Sequence, residues 1–490
     1  MSLFRSRFVT ACQQLLALGA VLAVLTPAAS LISLDVVRQP PAGVTISGGG
    51  SGVGVLSAYA RAARSSATLP ATAVDPVVRE VSLTGTAAAR TVAGGGQRLV
   101  SRPEVVTGDG MVGVTWAPDA EVAEEDLSIA VRTLTDGEWS GWSELEHHDE
   151  HAPDPDTREG RRSRPGTEPL YVGDVDRVQV RVVDTAGAAP ADLRLAVIDP
   201  GTPTRTVSQR AALDTAERTS TGPAQRGGVT PEPQIFSRAQ WGADESMRDK
   251  GSLRYYEVHA GFVHHTVNAN DYSRDEVPGI LRSIYAYHTK SRGWSDVGYN
   301  FLVDRFGRIW EGRYGGVDRP VVGAHTLGYN DYAFAMSAIG NFEQVKPSQA
   351  MVEAYGALFA WKLSLHGVDA SSTKQQVGSD TFLAINGHRD AGSTACPGRY
   401  LYARLGDIRS LATAAQTGWE GRDLDSDLLG TPHPDVVARR SSDHRVVVIP
   451  TGGLTKVRKP VVDSTGWGAY AATLVSPDLT GDGRPDLLGR

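Results

Sequence analysis

Apolar residues near the start of the chain form one short, continuous run. It extends from Leu15 to Leu25, follows Arg5 and Arg7, and gives way to small residues up to Ser30. This order is typical of a secretory signal peptide, and the run is shorter than the ~20 residues that span a bilayer. We therefore expect residues 1–30 to be a cleaved signal and the mature protein to be secreted, extracellular or cell-wall associated, with no stable membrane span. The alternative is an uncleaved anchor, because apolar residues continue past Ser30.

Alternation of apolar and polar residues begins farther along the chain. Residues 81–200 contain short alternating runs separated by Asp, Gly and Pro, of which 111–116 and 177–183 are examples. Because period-two alternation indicates half-buried strands, we expect a β-rich module resembling a β-sandwich. The Ala/Gly/Ser-rich residues 31–80 are expected to form a flexible N-terminal segment, and the Pro/Thr/Arg/Gly-rich residues 201–233 a linker.

Two groups of side chains within the β-rich module invite a chemical interpretation. Trp139 and Trp142 could stack on sugar rings, although packing of aromatic residues in strands is the favoured interpretation. The run His147–His151 contains three histidines and two carboxylates. These groups could bind a metal ion, but a polar run between strands is more often a solvated loop. We therefore expect a solvated loop here.

The apolar period changes to that of helices in the central part of the chain. Ser273 and Glu276 have the spacing of a capping box, and apolar residues recur on one helical face from Val277 to His288. A second helix is predicted from Ser348 to Gly367, and a hairpin from Tyr299 to Glu311 lies between the two. We therefore expect residues 234–415 to form an α/β domain with a mixed sheet flanked by helices.

The C-terminal part of the chain repeats itself. Residues 427–439 align without gaps with residues 478–490. The second copy resembles the calcium-loop repeats of FG-GAP or VCBS-type β-propellers, so we expect residues 425–490 to hold incomplete β-propeller-type repeat units. Oxygen ligands for Ca²⁺ would come from Asp478, Asp482 and Asp486. In the first copy, Thr431 and Pro432 replace an aspartate and a glycine, so the sequence does not support a calcium site there.

Charge and cysteine content exclude several classes of function. Among 490 residues, 49 Lys and Arg stand against 56 Asp and Glu, a net charge of −7. No overall positive field is present to attract nucleic acid, and we expect no nucleic-acid partner. The two cysteines, Cys12 and Cys396, are too few for a disulfide-stapled scaffold. The chain is therefore expected to be a multidomain protein stabilised by apolar cores.

Two histidines and one cysteine of the central domain are candidate metal ligands. His264 ends an apolar run, and His388 and Cys396 flank a turn rich in small residues. Two imidazoles and a thiolate would leave a fourth position open, as a catalytic zinc site requires. Without a local signature that fixes two ligands on one helix, buried histidines and a small apolar cysteine are an equally reasonable interpretation. The residue types alone leave both open.

Five ordered motifs of the central region resemble those of a known family. The motifs are Ile235–Ala243, Phe262–Thr266, Trp294–Phe301, Gly323–Asn330 and Gly387–Gly398. Together they resemble the peptidoglycan recognition protein / type 2 N-acetylmuramoyl-L-alanine amidase family, and the resemblance covers roughly residues 235–411. The sandwich-plus-amidase-plus-repeat layout is similar to that of secreted actinobacterial amidases.

The resemblance implies roles for individual residues of this chain. It makes His264, His388 and Cys396 the ligands of Zn²⁺. Tyr299 matches the tyrosine beside the metal, and Thr394 occupies a catalytic position where some members carry lysine. The substrate-binding residues that it implies are His265, His325 and Asn330.

The function implied is zinc-dependent hydrolysis of the amide between N-acetylmuramic acid and L-alanine in peptidoglycan, the expected partner. The leaving amine needs a proton, for which Tyr299, Glu311 and a water relay are alternative sources. A second hypothesis is a peptidoglycan-binding protein without turnover, which the retained Cys396 disfavours. A glycosidase would need two facing carboxylates, and no such pair stands out in the motifs.

Overall fold

The computed structural model describes the β-rich module, the central domain and parts of the C-terminal region. The described residues are 66–83, 88–91, 97–118, 126–147, 150–185, 189–212, 230–417, 428–429, 435–450, 459–462, 466–470, 472–476 and 486–489. The expected signal peptide lies outside them. Within these ranges, no helix has the length and apolarity needed to cross a membrane.

Thirteen strands of the described residues form the N-terminal module. Two antiparallel sheets, ordered β10-β6-β12-β2 and β3-β4-β11-β7-β8, face each other, while β1 pairs with β13. Alternate residues of β6, β7, β11 and β12 point between the sheets and build one apolar core. The strands are β1 (Ser66–Pro70), β2 (Val77–Ser82), β3 (Ala88–Thr91), β4 (Gln97–Val100), β5 (Glu104–Val105), β6 (Asp109–Thr115), β7 (Leu127–Thr135), β8 (Glu138–Trp139), β9 (Ser143–Glu144), β10 (Leu170–Asp174), β11 (Arg177–Asp184), β12 (Arg194–Asp199) and β13 (Thr206–Arg210).

This architecture confirms the expected sandwich but moves its borders. Strand β1 and the start of β2 precede residue 81, and β13 lies inside the expected linker. The polar pattern of β13 obscured it, because a strand paired with only one neighbour buries little of its surface. Trp139 and Trp142 lie half-buried, with the guanidinium of Arg132 4.5 Å and 4.8 Å from their rings. This agrees with packing at a sheet edge.

The central domain contains a six-stranded mixed sheet. Its strand order is β14-β17-β16-β18-β15-β21, and β17 is antiparallel to β16 while the other pairs are parallel. A separate hairpin pairs β19 with β20. The strands are β14 (Ile235–Phe236), β15 (Ala260–His265), β16 (Phe301–Val303), β17 (Ile309–Glu311), β18 (Ala333–Ala338), β19 (Gln375–Val377), β20 (Asp380–Phe382) and β21 (Ile385–Gly387).

Helices cover both faces of this sheet, as the sequence predicts. The α-helices are α1 (Arg238–Trp241), α2 (Val277–Ala286), α3 (Gln349–Leu365), α4 (Arg399–Tyr402) and α5 (Leu405–Ala415). Helix α3 begins where the Ser348 hydroxyl accepts a hydrogen bond from the Met351 amide, and ends before Gly367, whose φ is +73°. A Cβ at Gly356 would lie 2.5 Å from Leu411, so glycine permits the close approach of α3 and α5.

The sandwich and the central domain share an apolar cluster. Met111 and Ile198 of the sandwich pack with Ile280 and Ile284 of α2 in one continuous cluster. Tyr287, directly after α2, donates hydrogen bonds to two carbonyls of the sandwich, those of Val114 and Thr167. The sheet of the central domain thus has helix α3 on one face, and α2 with the sandwich on the other.

The described part of the C-terminal region contains five short strands. These are β22 (Asp435–Arg439), β23 (Val446–Pro450), β24 (Val461–Val462), β25 (Thr473–Ser476) and β26 (Asp486–Gly489). Strands β22 and β26 occupy equivalent positions in the two aligned repeats. Asp486 begins β26, whereas Asp478 and Asp482 lie outside the described residues. The propeller-type repeats and their calcium site stay predictions.

Candidate functional site

The candidate metal ligands lie at the carboxyl ends of two neighbouring parallel strands. His264 is near the end of β15, and His388 directly follows β21, the parallel neighbour of β15. Cys396 lies in the loop that follows His388. The candidate ligand atoms of these three buried residues all lie within 4.8 Å of one another. The Cys396 Sγ lies 3.6 Å from Nδ1 of His264. The fold therefore brings the three predicted ligands together in an arrangement that could hold a metal ion.

Burial sets the electrostatics of this cluster. The pKa of His264 lies well below its usual value, first because of burial and then because of His388 nearby. Its imidazole is therefore neutral at neutral pH, the form that binds a metal ion. Burial also raises the pKa of the Cys396 thiol. A bound cation would reverse this effect, because thiols that coordinate a metal are deprotonated.

The loop before β18 orients His264 and holds two of the predicted substrate-binding residues. The Thr326 hydroxyl lies 3.2 Å from Nε2 of His264, so it can fix the ring while Nδ1 faces Cys396. The side-chain oxygen of Asn330 accepts hydrogen bonds from the His325 and Thr326 amides. His325 and Asn330 are therefore beside the cluster, although both are buried.

Tyr299 lies next to the cluster. Its ring centroid is 5.5 Å from that of His264, and it is 1% exposed. Burial raises its pKa well above the usual value, so the hydroxyl keeps its proton at neutral pH. The structure thus offers a buried hydrogen-bond donor beside the candidate metal ligands.

Two other predicted residues are placed differently from the expectation. His265 points to the opposite face of β15 from His264, as strand alternation requires, and its Nδ1 accepts a hydrogen bond from the Phe342 amide. Its contact with a substrate stays a prediction. The Thr394 hydroxyl accepts a hydrogen bond from the Cys396 amide, so it shapes the loop that carries the cysteine. Its catalytic role stays a prediction.

Glu311, a candidate proton donor, lies far from the cluster. It ends β17, which two strands, β16 and β18, separate from β15. Neighbouring strands are about 4.8 Å apart, so Glu311 lies roughly 14 Å from His264 across the sheet. Its carboxylate instead accepts a hydrogen bond from the Arg238 amide. This position excludes direct proton transfer from Glu311 at the cluster.

The N-terminal module contributes residues that the sequence analysis missed. His151 is 3% exposed and stacks on Tyr299, with ring centroids 4.7 Å apart. Its Nδ1 lies 2.5 Å from the buried Glu168 carboxylate and 3.4 Å from the Tyr299 hydroxyl. The solvated loop expected at His147–His151 is therefore wrong for its described residues, because His147 and His151 are buried. The concentration of histidines was the available signal, but the ring of Tyr299, on which His151 stacks, lies in another domain.

Comparison with known proteins assigns both domains. Residues 254–399 match the model of the N-acetylmuramoyl-L-alanine amidase family, and residues 65–207 match the Rv3811 N-terminal galactose-binding domain-like family. Peptidoglycan-recognition protein SC2 of Drosophila melanogaster is 35% identical over 173 residues, which are 35% of this chain and 84% of that protein. The chain belongs to the peptidoglycan-recognition protein family.

Other known proteins are similar over a comparable share of the chain. The N-acetylmuramoyl-L-alanine amidase of Homo sapiens is 31% identical over 177 residues, which are 35% of this chain and 28% of that protein. Among solved structures, Drosophila PGRP-LB is 28% identical, with a TM-score of 0.30, and the match covers 35% of this chain and 92% of that one. The residues that the amidase family model matches, 254–399, lie in the central domain.

Proposed function

We propose that this protein is a zinc-dependent N-acetylmuramoyl-L-alanine amidase that cleaves the amide between N-acetylmuramic acid and L-alanine in peptidoglycan. The observation that carries the proposal is the cluster of His264, His388 and Cys396 at the strand ends of a domain from this family. The N-terminal sequence further supports secretion, which would bring the enzyme to its substrate outside the cell.

The separation of two ligand atoms in the cluster fits zinc. Zinc bonds of about 2.3 Å to sulfur and 2.0–2.1 Å to nitrogen place the two atoms about 3.5 Å apart at a tetrahedral angle. The separation between Cys396 Sγ and His264 Nδ1 is 3.6 Å. One thiolate and two neutral imidazoles also form a donor set that zinc favours. His264, His388 and Cys396 would therefore hold the ion.

The residues around the cluster would support amide hydrolysis. When bound, zinc would supply Lewis-acid activation of water and of the scissile carbonyl. The protonated Tyr299 hydroxyl would donate a hydrogen bond to the oxyanion that develops on that carbonyl. Thr326 would keep the His264 ring oriented, and the buried walls of the site would exclude bulk water from the reacting amide.

End-group analysis of digested peptidoglycan tests this function. Zinc-loaded protein should release new amino termini of L-alanine, and Cys396→Ser should abolish the release together with zinc binding. New reducing sugar ends would instead show glycosidase activity and contradict the proposal. Tight binding of peptidoglycan without any product, at full zinc occupancy, would show a recognition protein rather than an enzyme.

A further inference from the structure

A loop of the sandwich lies across the metal cluster. The loop leaves and re-enters the sandwich at a narrow neck, where Glu168 donates a backbone hydrogen bond to Glu146 and His147 forms a β-bridge with Thr167. Its tip enters the central domain. We call Glu150–Asp154 the covering segment, because these residues lie over the side chains that the proposed function requires.

Glu150 connects the two loops that border the cluster. Its carbonyl accepts a hydrogen bond from the Leu327 amide at 2.9 Å, on the loop that contains His325. Its carboxylate accepts another from the Ser393 amide at 2.9 Å, on the loop that contains Cys396. One residue of the N-terminal module thus crosses the space between the loops.

Ala152 and Asp154 of the covering segment contact Asn330 and Gly328. The Asn330 side-chain nitrogen donates to the Ala152 carbonyl at 3.1 Å and lies 3.3 Å from a carboxylate oxygen of Asp154. The other Asp154 oxygen accepts a hydrogen bond from the Gly328 amide at 2.6 Å. The segment thus occupies the side-chain donor of Asn330 and the amide of Gly328, two groups that a polar ligand of the groove would otherwise use.

The side chains of the cluster are buried, and His151 of the covering segment packs beside them, with its ring centroid 6.2 Å from that of His264. His264, His388 and Tyr299 are at most 1% exposed, and Cys396 is 5% exposed. Hydrolysis requires the scissile amide to come within bonding distance of the cluster. A disaccharide–peptide cannot reach these atoms while the segment lies over them. The described conformation is therefore closed to substrate.

The loop is anchored to the central domain beyond the covering segment, which limits the part that has to move for substrate to enter. Beyond the segment, Glu159 forms a buried, bidentate ion pair with Arg313, at 2.7 Å and 3.0 Å. Between these two parts, Pro155 and Asp156 are exposed. The covering segment contacts the two loops through polar groups, which peptide or water donors and acceptors can replace. Its His151 ring, in contrast, is buried against the rings of Tyr299 and Trp294 and has to leave with it. Opening would therefore release residues 150–154 together with this ring while the Glu159 anchor stays.

We propose that Glu150–Asp154 is an intramolecular ligand of the amidase groove, which peptidoglycan must displace to reach the metal cluster. This inference rests on the proposed function. It gives the N-terminal module a role in controlling access of substrate to the metal cluster. The hydrogen-bond donors for which segment and substrate would compete are the Leu327, Gly328 and Ser393 amides and the Asn330 side chain.

Alkylation of Cys396 measures the covering directly and without catalysis. In metal-free protein carrying Cys12→Ser, iodoacetamide should modify Cys396 slowly. The change Glu150→Ala/Asp154→Ala removes both acidic acceptors and should speed modification about tenfold or more, because hydrogen bonds to charged groups are the stronger ones. The change Glu138→Ala/Glu144→Ala removes equal charge from exposed strands of the same module and should leave the rate unchanged. Equal rates in all three proteins would overturn the proposal.

A reversible cross-link tests the same segment in the zinc-loaded enzyme. A Cβ at Gly392 would lie 3.3 Å from the Glu150 Cβ, close to the separation in disulfides. Oxidation of Glu150→Cys/Gly392→Cys to the disulfide should lower the amidase rate at least about tenfold, and reduction of the disulfide should restore it. Equal rates of the oxidised and reduced protein would contradict the proposal.

The two readouts separate failure of this inference from failure of the proposed function. Faster alkylation without products from any variant would retain the covering role and reject the amidase. If every variant released products at the same rate, and Cys396 were alkylated at the same rate in each, the amidase function would be retained and the covering role rejected. Faster alkylation together with a lower hydrolysis rate would show that the segment belongs to the active site, which also overturns the proposal.

Discussion

At the scale of single residues, burial determines the protonation states on which the site depends. Burial in the same site holds His264 neutral and Tyr299 protonated. A neutral imidazole can bind zinc, and a protonated phenol can donate to an oxyanion. The same burial that favours these forms also closes the site, so the two properties come from one arrangement of side chains.

Tyr299→Phe separates zinc binding from transition-state stabilisation. The phenyl ring keeps the stacking on His151, at a centroid distance of 4.7 Å in the wild type, but lacks the hydroxyl. Loss of one oxyanion donor typically lowers kcat by about 10²–10³-fold. We expect this loss at unchanged zinc stoichiometry, measured by metal analysis and turnover of peptidoglycan. A turnover equal to that of the wild type would remove Tyr299 from the mechanism.

Glu311→Gln should change the pH dependence of stability. Burial raises the pKa of the Glu311 carboxyl from 4.5 to about 7. Between these pH values the folded protein binds more protons than the unfolded chain, so stability falls as pH rises through this window. Glutamine resembles the protonated form. The variant should match the wild type near pH 4.5 and exceed it by up to about 3 kcal/mol at pH 8 in denaturant titrations. Parallel pH profiles would contradict this.

Individual site residues were predictable to different degrees. The family resemblance gave His264, His388, Cys396 and Tyr299, because ordered motifs identify residues whatever their environment. It also gave His265, whose side chain strand alternation turns to the opposite face of β15 from His264, and whose contact with a substrate stays a prediction. It could not give His151, because no motif of the central domain includes a residue from the sandwich.

At the scale of elements, local sequence patterns predicted the main helices and the hairpin. The face from Val277 to His288 is buried, and α3 begins and ends at the signals Ser348 and Gly367. The hairpin of β16 and β17 also lies where alternation indicates it. Strand β13 and the loop around His151 were not predictable, since their contacts lie in distant parts of the chain.

Ser348→Ala tests the local origin of helix α3. The Ser348 hydroxyl accepts a hydrogen bond from the Met351 amide at 3.1 Å, which alanine cannot do. Loss of such a cap typically costs about 1 kcal/mol, and Ser348→Asp should retain most of the stability. Chemical denaturation of both variants measures the difference. Equal stability of Ser348→Ala and wild type would show that packing alone positions the helix.

At the scale of the whole molecule, the sandwich and the central domain behave as one packed unit. An apolar cluster crosses their border, and the Tyr287 hydroxyl reaches two carbonyls of the sandwich. This border explains how a sandwich loop can be held over the cluster. Such an interface is not visible in the sequence, because each apolar pattern is also consistent with burial within its own domain.

Gly113→Ala tests whether the border couples the two domains. A Cβ at Gly113 would lie 2.5 Å from the Tyr287 ring, whereas nothing lies within 4 Å of one at Gly141. We expect Gly113→Ala to cost about 1–3 kcal/mol through overpacking and Gly141→Ala less than about 0.5 kcal/mol. Both domains should still unfold in one transition, followed by calorimetry. A lowered transition of the sandwich alone would show independent domains.

End-group analysis of peptidoglycan tests the central claim most directly. Zinc-loaded Glu150→Ala/Asp154→Ala protein, with its groove uncovered, is compared with the same protein carrying Cys396→Ser. The account predicts new L-alanine amino termini from the first protein and none from the second. Equal release from both, or release of reducing sugar ends alone, would contradict a zinc amidase built on His264, His388 and Cys396.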